Sequence, residues 1–248
     1  MNRQAVNPYL PSWEYIPDGE PHVFNGRVYV YGSHDRFNAP IFCVNDYVCW
    51  SAPVEDLSEW RYEGVIYRKK QDPKNPLGYH LLFAPDVCQG PDGRYYLYYA
   101  FDFLGIMSVA VCDTPAGEYK FLGHIHYADG TLWGRRRGDQ LPFDPGVLAD
   151  DDGRVWLYSG FYNAVPAILT GGHKLRCDGG TVLELEKDMV TIKTEPRVIF
   201  PKKGPGAFQG HEFFEASSIR KEGKTYIFVY SSRHNHELCY ATSQSPDR

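Results

Sequence analysis

The 248-residue chain is predicted to be all-β, a β-propeller of about four blades, and three observations carry that expectation. One unit recurs: PDGEPHVFNGRVYVYGSHD (17–35), APDVCQGPDGRYYLYYAFD (84–102), FDPGVLADDDGRVWLYSGFY (143–162) and FEASSIRKEGKTYIFVYSS (214–232). Each runs from a carboxylate through a short apolar stretch and a glycine turn into an aromatic strand. The turn glycines Gly26, Gly93, Gly153 and Gly223 are 67, 60 and 70 residues apart, a period that suits stacked supersecondary units. The leading acids Asp18, Asp86, Asp144 and Glu215 stand 8, 7, 9 and 8 residues ahead of those glycines. A nearly fixed offset puts the four acids at equivalent points of equivalent units, which is how a symmetric scaffold builds one shared site.

The elements follow in order. Residues 7–16 (NPYLPSWEYI) are rich in proline and aromatics and read as an extended arm. Val23-Phe24, the Asn25-Gly26 turn and Val28 to Tyr31 form a hairpin signal, because Asn-Gly tolerates the positive φ of a two-residue turn. Ile41–Val44 and Tyr47–Trp50 are expected to add further strand. SVAVCDTPAGEY (108–119) and LCYATSQSPD (238–247) repeat the pattern of apolar strand, small polar residues and proline turn. Four short antiparallel strands per unit describe a propeller blade; a β-sandwich would explain the strands but not the placement of the acids. The single domain spans 1–248, with blades at roughly 8–65, 80–125, 140–200 and 208–248. The chain stops one strand short of finishing the fourth unit, so a C-terminally incomplete chain, or a ring completed from elsewhere, is expected. Helical periodicity is absent.

Bulk properties narrow the function. Net charge is −5 with no long basic run, which argues against a phosphate-tracking nucleic-acid surface. Tyrosine far outnumbers methionine, 19 to 3, favouring strands and sugar-stacking surfaces over a Met-lined groove. The N-terminus has no apolar leader and no 18-residue apolar run occurs, so a cytoplasmic protein that does not cross a membrane is expected. The six cysteines lack CxxC spacing and read as small core residues. Oligomeric state is left open. GxSxG, GxGxxG and GxxxxGK[ST] motifs do not occur. Arg135, Arg136 and Arg137 form a charge run that suits a solvated loop or an acidic substrate.

Acids gathered at one mouth of a channel repel, which raises some pKa values and leaves others ionised. Glycoside hydrolysis needs that division: one carboxylic acid protonates the leaving oxygen while a carboxylate activates water. Glu215, after Phe213-Phe214, sits in aromatic surroundings that keep a proton on. Asp18, in Pro-Asp-Gly-Glu-Pro, has a polar and open setting suited to a base. The residues alone do not divide the assisting role between Asp144 and Asp86. His34, His211, His234 and His236 could also ligate a metal, but their spacing lacks a tight HxxxH pattern, and no metal site is assigned.

The four repeated segments, in this order, resemble the family 43 glycoside hydrolases, from about Asn7 to the end. The resemblance implies a β-propeller of the five-bladed type and an exo-acting, inverting enzyme that removes terminal arabinofuranosyl or xylosyl residues from plant-derived oligosaccharides. Relatives acting on galactofuranosides or galactosides share the motifs. The resemblance also implies Asp18 as general base, Glu215 as general acid and Asp144 as the carboxylate that tunes and orients the acid, the acid and base lying roughly 6.5–9.5 Å apart. Asp86 corresponds to a non-catalytic member of the set. His34, Phe83, Asp86, Phe143 and His211 are the expected substrate-binding residues, with Phe83 where many relatives carry Trp. No cofactor is required; a structural calcium in the central channel is expected of a complete chain. Relatives finish a fifth blade with an Asn-His-Gly stretch and an arginine near the sugar, and neither is present in this sequence. The alternatives are a non-catalytic carbohydrate-binding propeller, which would bind sugar without releasing product, and an interaction scaffold, which would need an exposed apolar surface that the sequence does not show.

Overall fold

The computed structural model describes residues 7–248. Its strands form four antiparallel sheets that follow one another along the chain. The first contains β1 (Glu20–Phe24), β2 (Arg27–Tyr31), β3 (Tyr47–Pro53) and β4 (Arg61–Tyr67). The second contains β5 (Asp86–Gln89), β6 (Tyr95–Ala100), β7 (Met107–Cys112) and β8 (Lys120–His124). The third contains β9 (Gly146–Ala149), β10 (Val155–Phe161), β11 (Gly179–Leu185) and β12 (Arg197–Pro201), and the fourth β13 (Phe213–Glu222), β14 (Thr225–Ser232) and β15 (Leu238–Ser243). Each sheet is an up-and-down meander in sequence order, the arrangement of a propeller blade. Among the described residues the helical content is one short 3₁₀ turn, Lys69–Gln71.

Apolar cores lie between successive blades. Tyr31, Tyr47 and Cys49 meet Leu97, Tyr99 and Tyr119 between the first two. Tyr98, Trp133 and Leu157 are packed between the second and third, and Tyr158, Phe213 and Phe228 between the third and fourth. The aromatic second strand of the repeat explains the stacking. Tyr31, Tyr98 and Tyr158 occupy the same place in RVYVY, RYYLY and RVWLY, and each donates its hydroxyl hydrogen bond to a backbone carbonyl of the next blade: Pro115, Met189 and Pro246. One buried tyrosine per repeat therefore supplies both apolar area and a directional link. All six cysteines are free, four of them buried.

Inner strands β1, β5, β9 and β13 surround the axis, and polar residues lock them together. Asp86, fully buried, accepts hydrogen bonds from the backbone N–H groups of Val87 and of Val147 in the next blade, and pairs with His22 Nε2 at 2.6 Å. Glu20 Oε1 accepts from Ser218 Oγ at 2.7 Å and from the Arg220 guanidinium, tying the first blade to the fourth.

Two expectations change. Ile41–Val44 is not a strand but part of the loop between β2 and β3, where Cys43 has a φ of 57°. An apolar surface also exists: in the fourth blade Leu238 and Tyr240 are 84% and 74% exposed on one face of β15, while Cys239 and Ala241 face the third blade.

Candidate active site

The repeat places its acids just before or within the inner strands, so that they stand around the end of the axis where those strands begin. Asp18 lies two residues before β1 and Asp144 two residues before β9, each two residues ahead of the position paired with the recurring tyrosine, Tyr31 or Tyr158. Both acids adopt left-handed backbone, φ 55° and 46°, and Ala216, directly after Glu215, has φ 61°. Such conformations cost of order 1 kcal/mol or more for non-glycine residues and cluster where geometry serves a site. Two glycines make room. A Cβ on Gly32 would fall 2.6 Å from the Pro17 carbonyl oxygen, and one on Gly146 would fall 2.6 Å from that of Ser217. Without side chains at these points, the Asp18 turn closes on β2 and the strands carrying Asp144 and Glu215 approach each other.

Asp18, Asp144 and Glu215 line one cavity of about 280 Å³. One side of its wall is aromatic: Phe83, Phe103, Phe143 and Phe161 interlock, with ring centroids 4.7 Å apart for Phe143 and Phe161 and a T-shaped contact of 5.7 Å between Phe83 and Phe143. Phe143 is held from behind, where its N–H donates to Ser159 Oγ at 2.7 Å and its carbonyl accepts from the same hydroxyl.

The surroundings separate the three acids. Burial pushes Glu215 up to about 7, helped by the charge of Asp18. Burial holds Asp144 well above the usual carboxylate range, reinforced by Glu215 and then Asp18, against a single stabilising hydrogen bond from Ala216 N–H at 3.1 Å. Asp18 is exposed at the cavity mouth, yet protein atoms crowd its carboxylate and raise its pKa. The Ser33 hydroxyl, donating at 2.8 Å, pulls the other way, and Asp35 adds to the rise. The open setting expected for Asp18 thus holds for the residue but not for its carboxylate. Three carboxyls that share a cavity and cannot all ionise at once provide a proton donor and an acceptor together.

The Asp144 shift is also a statement about stability. A carboxyl whose folded pKa is raised above the unfolded value favours the folded state below that value and loses the benefit as pH rises. Asp144→Asn should therefore raise the melting temperature at pH 7, by about 2–4 °C for each ~1 kcal/mol recovered in a chain of this size. The gain should vanish below about pH 4, where aspartate is protonated in both states. Calorimetry across that pH range would show it, and an unchanged or lowered midpoint at pH 7 would contradict the assigned burial cost.

Other expected site residues lie elsewhere. Asp86 pairs with Tyr98, one pleat further along the axis than Asp18 and Asp144, and its carboxylate is spent on His22 and Val147. The glycine count misplaced it because the first hairpin turns in two residues, Asn25-Gly26, while the second takes five, Gly90–Arg94. Ala84 occupies the cavity position in that blade. His34 is also outside the cavity wall: Nε2 meets Glu14 Oε1 and Nδ1 meets the Asp46 carbonyl, both at 2.9 Å, pinning the N-terminal arm. His211, exposed, pairs with Glu237 at 2.8 Å at the edge of the fourth blade. Conversely Asp35, Phe42 and Cys43 line the cavity without having been anticipated. They belong to the loop after β2, where Asp35 closes the recurring segment and Phe42 and Cys43 lie beyond it.

A second cavity, about 560 Å³, opens at the far end of the inner strands beside His22, Phe24, Gln89, Arg220 and Lys221. Its cations are already paired, Arg220 with Glu20 and Lys221 with Asp150 and Asp151, so it offers no free acid and base. Glu20, His22 and Asp86 bring ligand atoms within 4.8 Å of one another on the axis. Their atoms are engaged by Ser218, Arg220 and each other, an arrangement that does not fit the calcium expected in the channel.

The model for glycosyl hydrolases family 43 matches residues 17–248. The chain belongs to this family. A xylosidase/arabinosidase of Thermoclostridium stercorarium is 60% identical over the whole chain, which spans about half (51%) of that relative's length. Among solved structures, a family 43 enzyme from Xanthomonas citri complexed with xylose superimposes with a TM-score of 0.73 at 26% identity, covering 97% of this chain and 73% of the other. A family 43 β-xylosidase/α-arabinofuranosidase from a compost metagenome, in calcium-free form with xylotriose, gives 0.72 at 26% identity over 99% and 78%. Family 43 membership and the blade arrangement agree with the fold read from the repeats. Among the described residues no helix is long and apolar enough to cross a membrane.

Proposed function

We propose that the chain carries the catalytic site of an exo-acting, inverting glycoside hydrolase that removes terminal xylosyl or arabinofuranosyl residues from small oligosaccharides. The supporting observation is the shared cavity: Asp18, Asp144 and Glu215, 197 residues apart at the extremes, converge on it, and Glu215 is poised near 7. Glu215 protonates the glycosidic oxygen as the bond breaks. Asp18 takes a proton from the water that attacks the anomeric carbon on the opposite face. Asp144, buried behind them, anchors the strand that carries Glu215 by accepting from Ala216 N–H. The aromatic wall supplies the apolar surface for a sugar face, and the small cavity suits one terminal pentose better than a chain threaded through. The xylosidase/arabinosidase relative and the xylose-bound neighbour support the choice of sugar.

The test is a panel of xylobiose, arabinofuranosyl-xylobiose, galactofuranosides and their aryl glycosides, with released sugar identified by chromatography. Release of xylose or arabinose one unit at a time is expected. Binding without release would support the non-catalytic carbohydrate-binding alternative instead.

A further inference from the structure

The hairpin between β14 and β15 carries a histidine that the mechanism above leaves unused. In the sheet register Glu215 lies opposite Ser231, and Ser231 lies opposite Leu238, two residues after His236. The loop closes tightly, with Asn235 and His236 both left-handed at φ 57° and 52°, a conformation that costs energy for histidine. It turns the imidazole back over the blade. Nδ1 stands 3.9 Å from Glu215 Oε1 and 3.4 Å from Ser231 Oγ, and the ring meets Phe214 edge-on at 4.7 Å. The side chain is 63% exposed.

Neighbouring charges are committed elsewhere. Arg233 donates to the Tyr162 hydroxyl at 2.9 Å, and Lys202 lies over the same ring. Glu237 is held by His211 and Ser232, and Asp18 and Asp144 stand within the cavity lined by Glu215. Among the described residues Glu215 is the carboxylate within ion-pair reach of His236.

We propose that His236 is a positioning residue for the acid: its imidazolium steadies the carboxylate that forms on Glu215 when the proton passes to the leaving oxygen. The proposal rests on the assignment of Glu215 as proton donor. The step balances without change at the histidine, since the Glu215 O–H bond breaks, an O–H bond forms on the departing sugar, and solvent later returns a proton to Glu215. The benefit is largest for leaving groups that need full protonation.

The test is His236→Gln in the purified protein, with kcat/KM followed against pH. Removing a cation disfavours the carboxylate, so the alkaline limb should move up by about half a unit, smaller than the 1–3 units of a buried pair because solvent screens an exposed ring. The rate on an oligosaccharide should fall about three- to tenfold while nitrophenyl glycosides lose less, and His236→Arg should bring the limb back. A readout independent of turnover is the Glu215 carboxyl titration followed by carbon NMR, expected to move to higher pH in His236→Gln. An unmoved limb together with an unmoved Glu215 titration would overturn the proposal. A protein that cleaves no substrate yet shows the Glu215 shift would instead count against the hydrolase reading and leave the pairing standing.

Discussion

Glu215→Gln is expected to lower kcat/KM on xylobiose by about 10²–10⁴-fold, the usual worth of a positioned proton donor. Glutamine keeps the shape and hydrogen bonding of the side chain but has no proton to give. The loss should shrink for aryl glycosides, whose leaving groups depart without protonation. The pH profile makes the assignment specific. The active form of an acid is the protonated one, and burial together with the Asp18 charge puts Glu215 at about 7. Activity of the parent should therefore fall as pH rises through about 7, and that limb should disappear in the glutamine variant. A limb that persists would assign the titration to another group.

Asp18→Asn should reduce turnover at the upper end of the same range, and for good and poor leaving groups alike, because water attacks in the same displacement that expels each of them. Asparagine is the informative replacement. It tolerates the left-handed backbone that Asp18 adopts and can still accept from the Ser33 hydroxyl, so a loss reports missing base chemistry and not a collapsed turn. The base works when ionised, so the parent's acid limb should lie above the ordinary aspartate range, in the direction that crowding and Asp35 push it. Comparing the two variants on good and poor leaving groups separates acid from base without further structural assumption.

The blades were legible because a propeller repeats its local chemistry: alternating strands, a glycine turn and a buried tyrosine recur in RVYVY, RYYLY and RVWLY. The convergence of Asp18, Asp144 and Glu215 followed from the same repetition. Counting from the turn glycine failed for Asp86, since a hairpin turn can add residues without moving the register that sets which way a side chain points. His34 failed for a different reason. Its position next to a repeat element said nothing about Glu14, which arrives from the arm and takes the ring. Phe42 and Cys43 carried no periodic signal, because loops set on a rigid scaffold shape a pocket without repeating with it. The contact of Glu20 with Ser218 and Arg220 joins residues about 200 positions apart and leaves no local trace.

Inversion requires Asp18 and Glu215 to face each other across the cavity they line, with room for a water at the anomeric carbon. Proton NMR of the first sugar released from a β-xyloside tests it most directly, read before mutarotation mixes the anomers. α-Xylose is expected as the initial product. β-Xylose appearing first would mean a covalent intermediate and a closer carboxylate pair, and would contradict it.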